Sequence, residues 1–373
     1  MSTVPFQTAQ VEKINMTIEA GKNHYSVYIG HHLWDSLLFQ SEVKSKKIFI
    51  VTDEMVEKFY LKKFIDSLKD KYEINYFVLP PGESFKTVLM VEKIATRLLE
   101  LNYSRDSTLV AFGGGVVGDL AGFLASIYKR GLSYVQIPTT LVAQTTAAVG
   151  GKTGVNHALL KNAMGTFYHP QCVIMDTAFL MSLDDRQFSN GLSEVIGYGL
   201  ILDADFFYWL KSIIFDNTAR EIQNLKKIVF HCCRLKKSIV EEDEQDNGRR
   251  AILNFGHTFG HAIESLTHYQ SFLHGEAVAI GMRIALTLSQ LLGWISVEEV
   301  QLVIDVLLKA NLPVQLPQSI TVNDLMTAIQ KDKKNNENEQ RFILLKSIGE
   351  AIISSRIPLE LVRNAIESSY SFR

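Results

Sequence analysis

Five short, continuously apolar runs constrain this chain more than any other feature. They occupy residues 47–52, 76–79, 108–112, 134–137 and 172–175. Each is stopped by residues that turn or polarise the chain: Asp53; Pro80, Pro81 and Gly82; Gly113, Gly114 and Gly115; Pro138; and Asp176. A strand with one wet face alternates apolar and polar residues, whereas an unbroken apolar run suits a strand covered on both faces, as in a mostly parallel sheet. Segments of helical length and periodicity, such as residues 87–101, lie between the runs. Strands alternating with helices imply an α/β layer architecture. Beyond about residue 177 strand-like runs become rare, and amphipathic stretches at residues 219–240 and 274–292 dominate. A chain of 373 residues accommodates two domains. The pattern predicts an α/β domain over residues 1–176 and a mostly α-helical domain over residues 177–373. Residues 331–340 read as a polar loop before an apolar run at 341–345, and no internal repeat is visible.

Charge and cysteine usage narrow the function classes. Lysine and arginine number 38 against 40 aspartates and glutamates, a formal charge of -2. That balance lacks the basic footprint of a nucleic-acid binder. Cys172 stands alone, and Cys232 and Cys233 are adjacent, so no disulfide framework is expected and a reducing cytoplasm is the expected location. The first residues lack a basic start followed by an apolar stretch, so no secretory signal is expected. The uncharged stretch 131–151 holds Pro138, two glutamines and four threonines, which argues against a membrane span.

Several motifs carry chemistry. Gly113, Gly114, Gly115, Gly118 and Asp119 follow one apolar run and open a predicted helix. Glycines there let backbone amides approach a phosphate, and a helix N-terminus favours negative charge. The usual acidic residue about twenty positions on is absent; Pro138, Thr139 and Thr140 stand there instead. A tight strand-to-helix turn is the ordinary structural alternative. Glu83 and Lys86, after another run, suit ligand contact as well as they suit a solvated turn. Gly150, Gly151, Lys152 and Thr153 resemble a P-loop only superficially, because Thr146 occupies the position that loop gives to glycine. Lys152 and Lys161 suit phosphate contact or a plain surface loop equally well. The strongest purely chemical signal is His257 and His261, four residues apart on one helical face, with His274 close behind. Spacing alone selects His257 and His261 as a ligand pair, with Glu194, Glu264 and Glu276 as carboxylate candidates. Lys236, Arg249 and Arg250 flank the acidic stretch 241–244, the pattern of a charge-mixed surface; Arg250 precedes His257 closely enough to share its cavity and to hold a carboxylate.

Taken together, residues 82–86, 113–130, 138–167, 191–198, 250–264 and 274–282 make the chain resemble the 3-dehydroquinate synthase family of sugar-phosphate cyclases over about residues 20–365. The resemblance implies a Rossmann-like NAD-binding N-terminal domain and a helical metal-binding C-terminal domain, with the site in the cleft between them. It implies metal ligation by Glu194, His257 and His274, which moves His261 to the substrate side. It implies NAD contacts at Asp53, Glu83, Lys86, Gly114, Gly115, Asp119, Thr139, Thr140, Lys152, Lys161, Phe179 and Ser182. Substrate positions would be Lys152, Asn162, Lys236, Arg250, Asn254, His261 and Lys334 in the pair Lys333–Lys334. Arg130 would reach the neighbouring subunit's site in a homodimer. The implied partners are a small sugar phosphate, NAD and zinc or cobalt, with no nucleic acid and no membrane. The family reaction turns a seven-carbon keto-acid sugar phosphate, 3-deoxy-D-arabino-heptulosonate 7-phosphate, into the carbocycle 3-dehydroquinate. Oxidation by NAD, phosphate elimination, re-reduction, ring opening and an aldol closure recycle the cofactor, and the metal acts as a Lewis acid. Related readings are a cyclase of another sugar phosphate, a metal-dependent polyol-phosphate dehydrogenase and a catalytically impaired homologue.

Two positions depart from the family pattern, which carries Asp where this chain has Thr146 and Lys where it has Gly197. The losses are opposite in charge. They are read as a mutually dependent pair lost together, because removing one partner of a buried pair costs more than removing both.

Overall fold

The computed structural model describes residues 12–18, 23–34, 37–158, 160–332 and 341–371. They form two compact units: residues up to 183 together with 225–245, and residues 184–224 together with 246–371. A single break at residue 176 does not describe this division. The chain leaves the first unit at residue 183 and returns to it for most of the helix Ile222–Glu242. The returning helix buries Cys233 with its thiol 3.4 Å from the Gln144 carbonyl oxygen. Lys236 Nζ donates to the Thr146 carbonyl, and His169 Nε2 lies 2.7 Å from Glu244 Oε1.

Strands of the first unit are β1 (Glu12–Ile18), β2 (Asn23–Gly30), β3 (Lys47–Asp53), β4 (Glu73–Leu79), β5 (Thr108–Gly113), β6 (Ser133–Pro138), β7 (Lys152–His157), β8 (Leu160–Phe167) and β9 (Cys172–Asp176). Among the described residues seven of them form one sheet in the order β1-β2-β9-β6-β5-β3-β4, parallel except for β1 against β2. The five apolar runs are β3, β4, β5, β6 and β9. For β3, β5, β6 and β9 the unbroken character has the expected cause, whereas β4 ends the sheet and is only partly buried, with Tyr76 exposed. Phe49, Val51, Leu109 and Ala111 enter one buried apolar cluster with the helices Val88–Glu100 and Gly115–Ile127. The alternating residues Ile48, Ile50, Val110 and Phe112 enter another with Phe39, Leu61 and Phe64. Both faces of the central strands are therefore dry. β7 and β8 form a separate antiparallel hairpin, with Lys152 opening its first strand.

The second unit is built on the helix Asp185–Leu202, capped by Asp184, whose side chain accepts from Gln187 N at 2.8 Å. Every residue from Phe188 to Ile201 on it is buried, as expected of a helix at the centre of a bundle. Around it lie Ala204–Phe215, His257–Leu266, His274–Leu291, Val297–Lys309, Val322–Asp332 and Leu359–Glu367. A hairpin, β10 (Arg341–Ser347) and β11 (Glu350–Ser355), packs on it, and β10 contains the apolar run expected at 341–345. The buried Arg283 guanidinium donates to the carbonyls of Val314, Ser368, Ser369 and Ser371, so its charge is met by backbone dipoles. No helix among the described residues is long and apolar enough to cross a membrane.

Candidate active site

In the first unit the cofactor-side residues gather where topology places ligands in open α/β sheets. β3 lies between β4 and β5, so the chain reverses its direction across the sheet there. Ligands bind at the carboxyl ends of strands at such a switch point. Asp53 ends β3; Glu83 and Lys86 follow β4; Gly114 and Gly115 follow β5; Thr139 and Thr140 follow β6; Phe179 and Ser182 follow β9. Gly114 is the N-cap of the helix Gly115–Ile127 and makes no side-chain cap, so the amides of the first turn are left for an anion. This cradle fits a dinucleotide phosphate. Asp53 Oδ1 caps its own helix through Met55 N and Val56 N. The Phe179 ring is fully buried, 5.4 Å from that of Phe112, so its side chain belongs to the core and any contact with a ligand would have to come from its backbone.

The phosphate-side residues of this unit sit on or beside the hairpin. Lys86 is buried, and its Nζ donates to Asp119 Oδ2 at 2.5 Å and to Asn162 Oδ1 at 2.6 Å. Lys152 and Lys161 lie on β7 and β8. Arg130 is exposed and, with Lys129 before it, stands in left-handed backbone, at φ 66° and 47° respectively. Lys236, on the returning helix, is buried. Thr146 Oγ1 is buried without a hydrogen-bond partner.

The second unit assembles the metal candidates from three helices. Glu194 comes from Asp185–Leu202, His257 opens His257–Leu266 and His274 opens His274–Leu291. Glu194 Oε1 lies 3.4 Å from His257 Nε2 and 3.2 Å from His274 Nε2. The other ring nitrogens are engaged: His257 Nδ1 is 3.1 Å from the Phe255 carbonyl oxygen, and His274 Nδ1 is 3.2 Å from Glu264 Oε2. With Nδ1 of each ring facing one of those acceptors, the two Nε2 atoms are left facing Glu194. A backbone carbonyl and a carboxylate behind two histidines are the usual supports of metal-binding imidazoles. Glu194 Oε1 is buried and makes no well-formed hydrogen bond despite its two neighbours. A carboxylate oxygen beside two imidazole Nε2 atoms, each ring held from behind, is a donor set that fits a divalent cation.

Electrostatics point the same way. Burial alone would raise the Glu194 carboxyl, but His257 and His274 together hold it well below the usual carboxylate range. Burial alone would lower His274, but its bonds to Glu194 and Glu264 push it up to about 9. The site therefore strongly favours positive charge.

The pair chosen by helical spacing is brought together with a third ring. A ring nitrogen of His261 also lies within 4.8 Å of donor atoms on His257 and His274. Distance alone thus offers a three-histidine set. Glu194 is the better third ligand, because its Oε1 touches both Nε2 atoms and is otherwise unsatisfied. Glu264 and Glu276, the other carboxylate candidates, have other tasks. Glu264 holds His274; Glu276 pairs with Arg186 at 2.6 and 2.8 Å and accepts from Leu273 N, capping the helix of His274. Arg250 and Asn254 lie in the 3-10 turn Arg249–Asn254 leading into His257, with Arg250 buried. Lys333 and Lys334 lie outside the described residues. The sequence reading missed Asn190 and Asn156. The Asn190 side chain accepts from Gly275 N at 2.6 Å, and Asn156 bridges Glu83 and Asn162. Neither stands in a periodic or charged pattern that would single it out.

Comparison with known proteins agrees with this arrangement. Residues 76–190 match the family model described as 3-dehydroquinate synthase N-terminal, and residues 191–335 the one described as 3-dehydroquinate synthase C-terminal. The 3-dehydroquinate synthase of Nitrosococcus oceani is 43% identical over 95% of this chain and 99% of its own. That of Shewanella denitrificans is 44% identical over 94% and 99%. Among solved structures, the 2-epi-5-epi-valiolone synthase ValA of Streptomyces hygroscopicus, with NAD+ and Zn2+ bound, is 27% identical. It superposes with a TM-score of 0.85 over 92% of this chain and 96% of that one. With its N-terminal and C-terminal family models matched over residues 76–335 and relatives 43–44% identical over nearly the whole length, the chain belongs to the 3-dehydroquinate synthase family.

Proposed function

We propose that the chain converts 3-deoxy-D-arabino-heptulosonate 7-phosphate to 3-dehydroquinate and phosphate, recycling NAD within each turnover. Glu194 Oε1, buried and unsatisfied beside His257 Nε2 and His274 Nε2, carries the reading. A phosphate-eliminating cyclase of this kind needs a metal-held hydroxyl, and full-length relatives with this name give the substrate class. Glu194, His257 and His274 would hold the divalent metal, zinc or cobalt, which supplies Lewis acidity when bound. Asp53, Glu83, Lys86, Gly114, Gly115, Asp119, Thr139, Thr140, Lys161 and the 179–182 turn would hold NAD, which supplies the hydride acceptor and donor. Lys152, Asn162, Lys236, Arg250, Asn254, His261 and Lys334 would bind and orient the substrate. Paired cations neutralise the phosphate, while Arg250 grips the carboxylate that other sugar phosphates lack. Arg130, exposed and rigid in its backbone, completes the site of a second copy in a homodimer. Three buried cysteines, none in a disulfide, suit a reducing cytoplasm.

The test is phosphate release from that keto-acid by the purified protein with NAD and zinc, followed by product identification. Release with 3-dehydroquinate and no net NADH is expected. Net NADH would instead mark a polyol-phosphate dehydrogenase, and release from another sugar phosphate alone would mark a different cyclase.

Thr146 and Gly197 bear on rate and substrate. Lys236 Nζ already donates to the Thr146 carbonyl. A carboxylate at 146 would find that ammonium within reach and draw it from the substrate. A side chain at 197 would meet Met282 Cε, the far end of a flexible residue, 2.9 Å from its Cβ. Thr146→Asp alone is expected to raise KM about tenfold, the weight of one charge-assisted hydrogen bond, and adding Gly197→Lys is expected to recover part of it. A single variant with higher kcat/KM than the parent would refute the pairing of the two positions.

A further inference from the structure

Outside the metal cluster, Asn156, on β7, is a polar group that the activity does not use and that ties together residues expected at the site. Its main-chain N–H donates to the Lys86 carbonyl at 2.8 Å. Its side-chain Nδ2 donates to Glu83 Oε1 at 2.8 Å. Its Oδ1 accepts from the Asn162 main-chain N–H at 2.8 Å. Lys86 Nζ then closes the circuit, donating to Asn162 Oδ1 at 2.6 Å and lying 3.9 Å from Glu83 Oε1. The amide orientation is fixed by its partners: the oxygen faces an N–H, and the nitrogen faces a carboxylate.

We propose that Asn156 is a positioning residue that sets the cofactor-side carboxylate of Glu83 and the substrate-side amide of Asn162 relative to each other. The inference rests on the proposed function only in assigning Glu83 to NAD and Asn162 to the sugar phosphate. Asn162 stands in left-handed backbone at φ 53°, a conformation asparagine tolerates but does not prefer. The bond from its N–H to Asn156 Oδ1 pins that conformation. Lys86, 3% exposed, pins its side chain. Removing Asn156 frees the Asn162 turn on one side and the Glu83 carboxylate on the other, while neither residue is itself changed. The side-chain bonds of Asn156 go to Glu83 and Asn162, so its effect passes through those two.

Two variants separate the roles. Asn156→Ala loses both side-chain bonds. Asn156→Asp keeps an acceptor for the Asn162 N–H but loses the donor to Glu83 and places a second negative charge beside it. NAD affinity is read by titration of the zinc-loaded protein without substrate; KM and kcat for phosphate release are read at saturating NAD. Asn156→Ala is expected to weaken NAD binding and to raise KM, each about three- to tenfold, as for one lost hydrogen bond. Asn156→Asp is expected to weaken NAD binding at least as much while KM moves less than about threefold, since its bond to Asn162 survives. A merely structural residue would lower the melting temperature and kcat with the folded fraction and leave both affinities alone. Wild-type NAD affinity and KM in the two variants would overturn the proposal. If the parent protein releases no phosphate, the activity reading fails by itself. The NAD titration then decides for Asn156 alone: unchanged affinity in both variants refutes it, and weakened affinity supports it.

Discussion

Glu194→Ala is expected to strip the protein of its metal and to lower turnover by about a thousandfold, whereas His261→Ala is expected to keep the metal. The two variants decide between the donor sets that the second unit brings together. Distance alone groups His257, His261 and His274. Hydrogen bonding groups Glu194, His257 and His274, because Glu194 Oε1 is the acceptor left unsatisfied beside two Nε2 atoms. A Lewis acid contributes several kcal/mol to a reaction that develops negative charge on oxygen, and each tenfold in rate is about 1.4 kcal/mol, hence the size expected. Zinc content after dialysis and phosphate release with zinc restored are the measurements. Glu264→Gln is an internal control. It leaves all three ligands and weakens only the acceptor behind His274 Nδ1. Metal affinity is expected to fall about 10- to 100-fold, and excess zinc is expected to restore turnover, as for other supporting carboxylates. Metal retained by Glu194→Ala but lost from His261→Ala would reverse the assignment.

What the sequence reveals here follows from how each feature is stabilised. β3, β5, β6 and β9 were legible because they are buried on both faces, which writes itself as an unbroken apolar run. The hairpin of β7 and β8 was not. Its second strand is mostly exposed, and its pairing is held by bonds such as Thr153 Oγ1 to the Thr166 carbonyl at 2.9 Å, which leave no periodic signature. The helix Ile222–Glu242 was legible as an amphipathic stretch, but a helical stripe records that a face is buried and not which core it joins. The metal site shows the same limit. Spacing of i to i+4 sees only residues on one helix, so it paired His257 with His261. Glu194 sits on another helix, so the residues alone offered it only as one of three carboxylate candidates, and family likeness selected it. Asn156 and Asn190 do their work through neutral amides on a strand and a helix, and nothing short of the folded contacts distinguishes them from other asparagines.

Gly275→Ala is expected to damage the second unit most for the smallest chemical change. The added Cβ would run into the Asn190 carbonyl oxygen, with Asn190 Oδ1 only 2.9 Å away. Asn190 lies inside the helix Asp185–Leu202, so the obstructing atom is backbone and cannot swing aside. Gly275 N also donates to Asn190 Oδ1 at 2.6 Å, a bond that any retreat of the helix would stretch. These contacts fix how closely the helix of His274 approaches the helix of Glu194, and Glu194 is one turn beyond Asn190. Overpacking of this kind costs about 1–3 kcal/mol, and more where backbone must move. In a unit of this size that lowers the melting temperature by about 3–10 °C. The same displacement would lengthen the 3.2 Å separation of Glu194 Oε1 from His274 Nε2, so zinc affinity is expected to fall about tenfold or more. Gly293→Ala separates steric conflict from backbone strain. Gly293 has a φ of 74° but nothing within 4 Å of an added Cβ. It pays only the left-handed penalty, about 1–2 kcal/mol, and zinc affinity should stay at the parental value. Equal zinc affinity in Gly275→Ala and the parent, measured on folded protein, would mean that the two helices do not set the metal geometry through this contact.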